Sequence, residues 1–290
     1  MQIFTTVADW QQFLRAQRGN KPHQNAAHST IGFVPTMGAL HAGHISLLER
    51  ARVECNIVAC SIFVNPTQFN DPADLLKYPR PIAADIAMLE QSGCDALLLP
   101  SVAEIYPDGT VWRNPFQFGA LTKVLEGAFR PGHFDGMVQV VSRLLQIVQP
   151  EAIYMGQKDF QQQSIVAEML RQQKSSVCLV CCPIVREPSG LAMSSRNVRL
   201  SNGARSEAAA IHNALQAAAS DYSDGVLAQS LQHNIQVKIN ENPLFSTDYI
   251  AVVDGDTLLP ITEFKAHRQA VVCVAIRVEG VRLLDNIILF

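Results

Sequence analysis

The sequence contains no block of basic residues and no long apolar run. Its 290 residues include 23 Lys and Arg against 26 Asp and Glu, which gives a formal net charge of −3. A chain without a basic patch lacks the electrostatic footprint of a nucleic-acid-binding protein. Its longest apolar runs, such as IVACSIFV, are far shorter than a membrane span. We therefore expect neither a nucleic-acid partner nor a membrane partner, and small-molecule chemistry is favoured.

From the N-terminal stretch and the cysteines we expect neither a targeting signal nor a disulfide framework. The N-terminal stretch MQIFTTVADWQQFLR has neither the basic start nor the apolar core of a signal peptide. Seven cysteines, scattered from Cys55 to Cys273, are an odd number and suit reduced thiols. We expect a cytoplasmic protein whose cysteines lie in the core. The strand-like run VCLVCCPIV, with Cys178, Cys181 and Cys182, lacks the second ligand pair of a zinc site, so core burial is predicted there too.

Glycines two residues apart are absent, and with them the dinucleotide-binding pattern G-x-G-x-x-G. This absence disfavours a nicotinamide-dependent dehydrogenase. Gly38 and Gly43 have the spacing of a P-loop, yet His44 and Ile45 stand where that loop needs Lys and Ser or Thr. A phosphate-binding loop of a related kind remains possible.

The first two thirds of the sequence alternate between strand-like and helix-like patterns. The predicted strands are IGFV (31–34), NIVACSIFV (56–64), DALLLP (95–100), AIYM (152–155) and VCLVCCPIV (177–185). Helices are predicted from about Ile45 and over 81–93, 135–149 and 159–173. Apolar strands that alternate with helices predict an α/β fold with a parallel sheet.

The pattern changes after Asn197. Two helices are predicted over 201–219 and 226–240, followed by the strands DYIAVVD, AVVCVAIRV and VRLLDNIILF of a small antiparallel sheet. The segment REPSG supplies the Pro and Gly of a short hinge. We therefore predict a first domain of residues 1–186 and a smaller α+β domain of residues 187–290.

The segment VPTMGALHAGHISLLERA (34–51) follows the first of these predicted strands and carries His41 and His44. Ligands of such sheets bind at the carboxyl ends of the strands. Gly43 allows the backbone to approach a ligand, and a helix that begins near His44 offers free N–H groups to an anion. Histidines three residues apart share one helix face, so both can donate to a polyphosphate. In an isolated H-x-G-H, catalytic histidines are less common than the alternative, in which His41 is an exposed loop residue and His44 a helix-start residue.

Its context gives this segment a more specific meaning. Preceded by a strand and by Pro-Thr-Met-Gly, H-A-G-H resembles the HIGH motif of the superfamily that contains nucleotidylyltransferases and class I aminoacyl-tRNA synthetases, which transfer adenylyl groups. Five further blocks are FVNPTQF (63–69), YPR (78–80), EGAFRPGHFDG (126–136), GQKDFQQ (156–162) and AMSSRN (192–197). Together, the blocks are similar to those of the pantothenate synthetase (pantoate–β-alanine ligase) family.

The resemblance implies a fold and a reaction. It implies a Rossmann-like domain with a smaller C-terminal lid domain, and a homodimer. It also implies an enzyme that joins pantoate to β-alanine at the expense of ATP, through a pantoyl adenylate. Pantothenate, AMP and pyrophosphate would be the products.

Roles for individual residues follow from the same resemblance. The implied catalytic residues are His41, His44 and Lys158. The implied ATP-binding residues are Met37, His41, His44, Gly156, Lys158, Asp159, Ser194, Ser195 and Arg196. The implied substrate-binding residues are Pro35, Thr36, Met37, Asn65, Gln68 and Gln162. Phe63 and Phe69 are the expected apolar walls for the gem-dimethyl group of pantoate.

The chemistry of the side chains agrees with these roles. Attack of a carboxylate on the α-phosphorus builds negative charge on phosphate oxygens, which fixed N–H donors and an ammonium such as that of Lys158 stabilise. The amides of Gln68 and Gln162 offer neutral donors and acceptors to a hydroxy acid. Taken alone, a single lysine or glutamine is more often a surface residue.

Magnesium is the implied metal, since it bridges nucleotide phosphates while keeping several waters. Asp85 matches the acidic position of the family near the metal, although Ala83 and Ala84 replace residues that are often polar in relatives. Arg130 and His133, in RPGHF, either face the site or belong to an ordinary loop, and the sequence leaves both meanings open.

Two other classes of function compete with the ligase. A nucleotidylyltransferase acting on a small phosphorylated metabolite would share the HIGH-like motif, but FVNPTQF and GQKDFQQ favour the ligase. A catalytically dead nucleotide-binding regulator would be expected to lose His41, His44 or Lys158, and all three are present.

Overall fold

A computed structural model describes residues 1–19, 30–222, 226–265 and 267–290. The chain divides into two compact units. The first unit contains Met1–Gln117, Pro131–Gly156 and Val166–Cys182, and the second contains Phe118–Arg130, Gln157–Ile165 and Pro183–Phe290. The second unit thus begins slightly before the predicted boundary at residue 187 and includes two earlier segments. The assignment of residues 187–290 as a lid stays a prediction.

The first unit is built on a six-stranded sheet. Its strands are β1 (Gln2–Phe4), β2 (Ile31–Thr36), β3 (Ile57–Ile62), β4 (Ala96–Leu98), β5 (Ala152–Gly156) and β6 (Cys178–Cys182). They lie in the order β1-β4-β3-β2-β5-β6, and all neighbouring pairs are parallel. The predicted parallel α/β fold is confirmed. Strand β1 was not predicted, and it is only three residues long and partly exposed.

Helices form part of the connections between these strands, and further helices lie in the second unit. They are α1 (Val7–Gly19), α2 (Ala42–Glu54), α3 (Pro72–Lys77), α4 (Ile82–Gln91), α5 (Val102–Ile105), α6 (Glu126–Phe129), α7 (His133–Val148), α8 (Phe160–Gln172), α9 (Asn202–Glu207), α10 (Ala209–Asp221) and α11 (Ala228–Asn240). Within the described ranges, no helix has both the length and the apolar character needed to cross a membrane.

The central strands explain why a continuous apolar run predicts a parallel sheet. Every residue of β3 is buried, and β2 is buried except at Pro35. Both faces of the sheet are therefore covered, as in α/β proteins generally. One core cluster joins β2 and β3 to α2 through residues such as Val34, Cys60 and Leu48.

The second unit contains the predicted small antiparallel sheet. Its strands are β7 (Phe245–Asp254), β8 (Ala270–Val278) and β9 (Val281–Ile288), in the order β7-β8-β9. One face packs against α10 and α11 in a core that includes Leu215, Leu231 and Val272. The helix predicted over 201–219 is divided at Ala208 into α9 and α10.

Core burial of the cysteines is confirmed only in part. All seven thiols are free of disulfides, and Cys60, Cys94, Cys182 and Cys273 are buried. Burial raises the pKa of Cys94 to about 11, so that thiol stays protonated. The prediction is wrong for Cys178 and Cys181, which are exposed. The reason is that β6 lies at the edge of the sheet, where its pattern is not that of a strand covered on both faces.

Candidate active site

His41 and His44 lie where β2 gives way to α2. Helix α2 begins at Ala42, with His41 in the N-cap position. Nδ1 of His41 accepts the backbone N–H of Gly43 at 3.1 Å, and Nδ1 of His44 accepts the backbone N–H of His41 at 3.3 Å. Helix starts are usually capped by Ser, Thr, Asp or Asn. Here imidazoles cap the helix. The helix begins at Ala42, before the predicted start at about Ile45.

These two contacts determine where each ring carries its proton. A nitrogen that accepts an N–H bond has no proton, so the neutral imidazole is protonated at Nε2. The ring centroids of His41 and His44 are 4.1 Å apart. Each of these adjacent rings therefore has Nε2–H as its donor group, and donors of this kind suit oxygens on which negative charge develops.

Asp85 holds the loop that leads into these histidines. Its Oδ2 accepts the N–H of Ala39 at 2.9 Å, and its Oδ1 accepts the N–H of Leu40 at 2.8 Å. Gly38 and Ala39 have positive φ angles of 80° and 50°. A Cβ on Gly38 would lie 3.0 Å from Asp85 Oδ2, so glycine is required there for both backbone conformation and space. Asp85 lies in the first turn of α4 and is only 1% exposed, so its carboxylate holds the loop from a buried position.

The structure does not test the predicted magnesium contact of Asp85. Each of its oxygens already accepts one N–H, but a carboxylate offers about four acceptor positions. Among the residues that the structure describes, no group of three or more His, Cys, Asp or Glu side chains is placed to hold a metal. The acceptor positions of Asp85 that the loop does not use fit a single contact with an ion whose other ligands are phosphate oxygens and water. The contact of Asp85 with magnesium stays a prediction.

Three of the residues predicted to bind substrate form one network, in which Asn65 and Gln68 are buried and Met37 is partly buried. Gln68 Nε2 donates to Met37 Sδ at 2.9 Å, and Asn65 Nδ2 donates to Gln68 Oε1 at 3.2 Å. The hydroxyl of Tyr106 donates to Asn65 Oδ1 at 2.9 Å. Burial raises the pKa of Tyr106 despite its hydrogen bonds, so this donor stays protonated. The network fixes the orientation of the Gln68 amide.

The turn that carries Gln68 is supported from α7. Nδ1 of His133 donates to the backbone carbonyl of Gln68 at 2.8 Å, and His133 is buried. Gly136, one turn further along α7, lies against the same turn. A Cβ on Gly136 would be 2.1 Å from the carbonyl oxygen of Thr67, so only glycine fits. The structure thus gives His133, whose role the sequence left open, a contact with the backbone of Gln68.

Three other predicted site residues lie at the carboxyl ends of central strands. Pro35 and Thr36 end β2, and Gly156 ends β5. Thr36 Oγ1 donates to the carbonyl of Ser61 at 2.7 Å and accepts the N–H of Gly38 at 3.1 Å. Thr36 therefore helps to hold the loop whose backbone also donates to Asp85.

In the second unit, Lys158 and Asp159 form a short 3₁₀ turn with Gln157, just before α8. Lys158 Nζ lies 3.1 and 3.2 Å from the two carboxylate oxygens of Asp159. The side chain of Lys158 is 20% exposed and that of Asp159 is 46% exposed. Surface pairs of this kind contribute at most about 1 kcal/mol. A phosphate group can therefore compete for the ammonium.

A structural glutamine adjoins Gln162, which is half-buried on α8. Gln161 is buried, its Oε1 accepts the N–H of Glu126 at 2.9 Å, and its Nε2 donates to the carbonyls of Leu121 and Val124 at 2.7 and 2.8 Å. No role was predicted for Gln161 from the sequence. The only signal for it was its place in the run of glutamines that opens α8.

The segment Ser194–Arg196 forms a turn that Asn197 closes. Ser194 Oγ accepts the N–H of Arg196 at 3.3 Å, and the N–H of Asn197 donates to the Ser194 carbonyl at 3.0 Å. Asn197 is 2% exposed, and its Nδ2 donates to Glu187 Oε1 at 2.7 Å. Arg205 donates to both carboxylate oxygens of Glu187, at 2.7 and 2.9 Å. This support for the turn was not predicted, because Glu187 and Arg205 lie outside AMSSRN.

Comparisons with known sequences find relatives over nearly the whole chain. The family model of pantoate-beta-alanine ligase matches residues 2–288. A pantothenate synthetase from Porphyromonas gingivalis is 42% identical over 287 residues, which cover 99% of this chain and 99% of the relative. Another from Phocaeicola vulgatus is 44% identical over 288 residues, again 99% of each chain.

Solved structures give the same result. A pantothenate synthetase from Thermus thermophilus has a TM-score of 0.89 and 40% identity, with full coverage of both chains. A pantoate-beta-alanine ligase from Francisella tularensis, solved with beta-gamma ATP and beta-alanine, has a TM-score of 0.79 and 34% identity and covers 100% of this chain and 98% of its own. Because the family model and these relatives match nearly the whole chain, the protein belongs to the pantoate–β-alanine ligase family of ATP-dependent ligases.

Proposed function

We propose that this chain condenses pantoate with β-alanine to give pantothenate, with ATP converted to AMP and pyrophosphate. The observation that carries the proposal is that the rings of His41 and His44 lie 4.1 Å apart at the start of α2, each with Nδ1 accepting a backbone N–H, in a chain of this family. In the first step a carboxylate oxygen of pantoate attacks the α-phosphorus and pyrophosphate leaves. In the second, the amine of β-alanine attacks the acyl carbon of the pantoyl adenylate and AMP leaves.

The residues of the first unit have two proposed tasks. His41 and His44 donate to phosphate oxygens of ATP, on which charge develops in the first step. Gln68, whose amide is held by Asn65 and by the contact with Met37, hydrogen-bonds the hydroxy acid. Since that amide is already oriented, little ordering is needed when pantoate binds. Pro35 and Thr36, at the end of β2, and Gly156, at the end of β5, are proposed ligand contacts through their backbone.

The residues of the second unit have proposed tasks of their own. Lys158 exchanges its contact with Asp159 for a phosphate oxygen and neutralises developing charge. Asp159 then contacts the ribose of ATP, and Gln162 contacts pantoate. Ser194, Ser195 and Arg196 grip the phosphates with two hydroxyls and a guanidinium, groups suited to polyphosphate.

Magnesium is the proposed metal, and when bound it would screen the phosphate charge of ATP. Asp85 is the one side chain proposed to approach it, through lone pairs not used by the loop. The homodimer, the cytoplasmic location and the lid role of residues 187–290 also stay predictions.

Isotope exchange tests the two-step reaction. With enzyme, Mg²⁺, ATP and pantoate, labelled pyrophosphate should enter ATP because adenylate formation is reversible, and omission of pantoate should abolish the exchange. Addition of β-alanine should then release pantothenate and AMP. A nucleotidylyltransferase would show no amine-dependent step, and an inactive nucleotide-binding protein would show no exchange. Product formation without any pantoate-dependent exchange would rule out the adenylate.

A further inference from the structure

Three polar side chains of the last strand, β9, each contact a segment that carries one of the sequence blocks. Arg282 contacts Glu126 in EGAFRPGHFDG, Asp285 contacts Arg186 ahead of AMSSRN, and Asn286 contacts Gln157 and Lys158 in GQKDFQQ. All these residues lie in the second unit. From the sequence, VRLLDNIILF was predicted only to form a strand.

The contacts of Asn286 are the most direct, since they reach the backbone of Lys158. Asn286 Nδ2 donates to the carbonyl of Lys158 at 3.1 Å and to the carbonyl of Gln157 at 2.9 Å. Asn286 Oδ1 accepts from Gln157 Nε2 at 3.1 Å. Both amide protons and the amide oxygen are therefore engaged with two consecutive residues of the 3₁₀ turn. With 2% exposure, the side chain is well shielded from water.

The neighbouring residue stiffens this attachment. Asp285, 5% exposed, receives two hydrogen bonds from Arg186, at 2.6 and 2.9 Å. Asp285 Oδ1 also accepts the backbone N–H of Asn286 at 2.8 Å. A displacement of Asn286 would disturb this second set of bonds, so the strand holds the turn at a defined place.

A carboxamide is not needed for the sheet itself. In the pairing of β8 with β9, Asn286 lies opposite the buried Cys273, among mostly apolar residues. Burial of an amide costs free energy unless all its hydrogen bonds are made. An apolar residue would serve the sheet at least as well, so the amide is explained by the turn that it holds.

We propose that Asn286 is a positioning residue for Lys158. The inference rests on the proposed function, in which the ammonium of Lys158 stabilises charge at the phosphates. A lysine side chain is long and flexible, so its reach depends on where its own backbone is fixed. Small misplacements of a catalytic group cost up to about 100-fold in rate. By fixing the Lys158 carbonyl, Asn286 sets the point from which the ammonium reaches.

Two substitutions test the proposal. Asn286→Ala removes all three contacts, whereas Asn286→Asp keeps the shape but turns carboxylate oxygens toward two carbonyls. For both we expect kcat to fall roughly 10- to 100-fold while KM for ATP changes by less than about threefold, because transition-state stabilisation is lost and binding is kept. Asp254→Asn is the control: Asp254 is buried in the same unit and bonds Thr257 and His267. It should lower the melting temperature without lowering kcat.

A double substitution separates positioning from general support of the fold. In the Lys158→Ala background, Asn286→Ala should cause no further fall in kcat, because the group that it positions is gone. Wild-type kcat in folded Asn286→Ala or Asn286→Asp, or losses that multiply in the double variant, would overturn the proposal. Since pantoate-dependent exchange by the wild-type protein tests the reaction separately, either failure can be recognised. A fully active Lys158→Ala variant would remove the proposed role of Lys158 and this inference together.

Discussion

Nδ1 of His44 accepts the backbone N–H of His41 at 3.3 Å. The second histidine of H-A-G-H thereby completes the cap of the helix that the first one begins. Because that contact occupies Nδ1, the ring presents Nε2–H as its donor. Helix capping and the proposed phosphate contact thus use opposite nitrogens of one side chain.

Replacement of His44 by alanine should affect catalysis much more than stability. Loss of a transition-state donor commonly lowers kcat about 100-fold or more, whereas loss of a capping contact costs about 1 kcal/mol. Steady-state kinetics and thermal unfolding measure the two effects. Ser46→Ala is the matched control, since Ser46 Oγ donates only to the Gly43 carbonyl in the same turn. A folded His44→Ala variant with near-normal kcat would remove His44 from the mechanism.

Replacement of Lys158 by alanine should lower kcat with little change in KM for ATP. The reason is that its ammonium already has a partner, Asp159, in the ground state, so its contribution is expected mainly in the transition state. The exposed Lys238 of α11 provides a control for the loss of one positive charge. A variant whose only defect is a higher KM for ATP would assign Lys158 to nucleotide binding.

Replacement of Asp85 by asparagine tests the predicted metal contact. The asparagine amide has one oxygen that accepts and one NH2 group that donates. It therefore loses one of the two contacts with the N–H groups of Ala39 and Leu40, and the melting temperature should fall. If the carboxylate also approaches magnesium, the Mg²⁺ concentration for half-maximal activity should rise, and we expect that rise. Thr36→Val disturbs the same loop through the N–H of Gly38 without removing a charge. Equal Mg²⁺ dependence in both variants would show that Asp85 holds the loop and does not contact magnesium.

Acid should weaken the second unit partly through Asp248. Burial raises the pKa of this carboxyl, but hydrogen bonds from Arg282 and Arg277 outweigh burial, and the pKa lies below its ordinary value. The unfolded chain therefore takes up the proton first as the pH falls. The stabilisation is complete above an ordinary pKa of about 3.9 and is lost as the pH falls through the lower folded-state value.

Urea unfolding of the wild type and of Asp248→Asn measures this contribution. The difference in unfolding free energy between them should shrink as the pH is lowered from neutrality through the range below about 4. A difference that stays constant with pH would show that Asp248 acts through packing and not through its charge.

Nucleotide should increase the protection of residues 187–203 against hydrogen exchange. A segment that admits ATP and then closes over it must change its protection when ATP binds. In the structure, Glu187 and Asn197 tie the two sides of Ser194–Arg196 together, so we expect the change to be cooperative over this segment. Identical exchange of AMSSRN with and without an ATP analogue would argue against closure.

The sequence by itself determined the type of fold and the location of the main motif. Continuous apolar runs such as NIVACSIFV predicted buried parallel strands, because burial on both faces leaves a pattern within a few residues. The position of H-A-G-H after IGFV predicted a site at the end of a strand for the same local reason. An apolar run does not show which strand lies at the edge of the sheet. For that reason Cys178 and Cys181 of the edge strand β6 were wrongly predicted to lie in the core.

Only the tertiary structure decided what holds the site residues in place. Asp85 accepts the N–H of Ala39, 46 residues away, and Asn286 donates to the carbonyl of Lys158, 128 residues away. An aspartate on an amphipathic helix and an asparagine in a strand carry no local sign of such partners. Which backbone group meets which side chain depends on strand register and helix packing, and these are set by the whole core rather than by neighbouring residues.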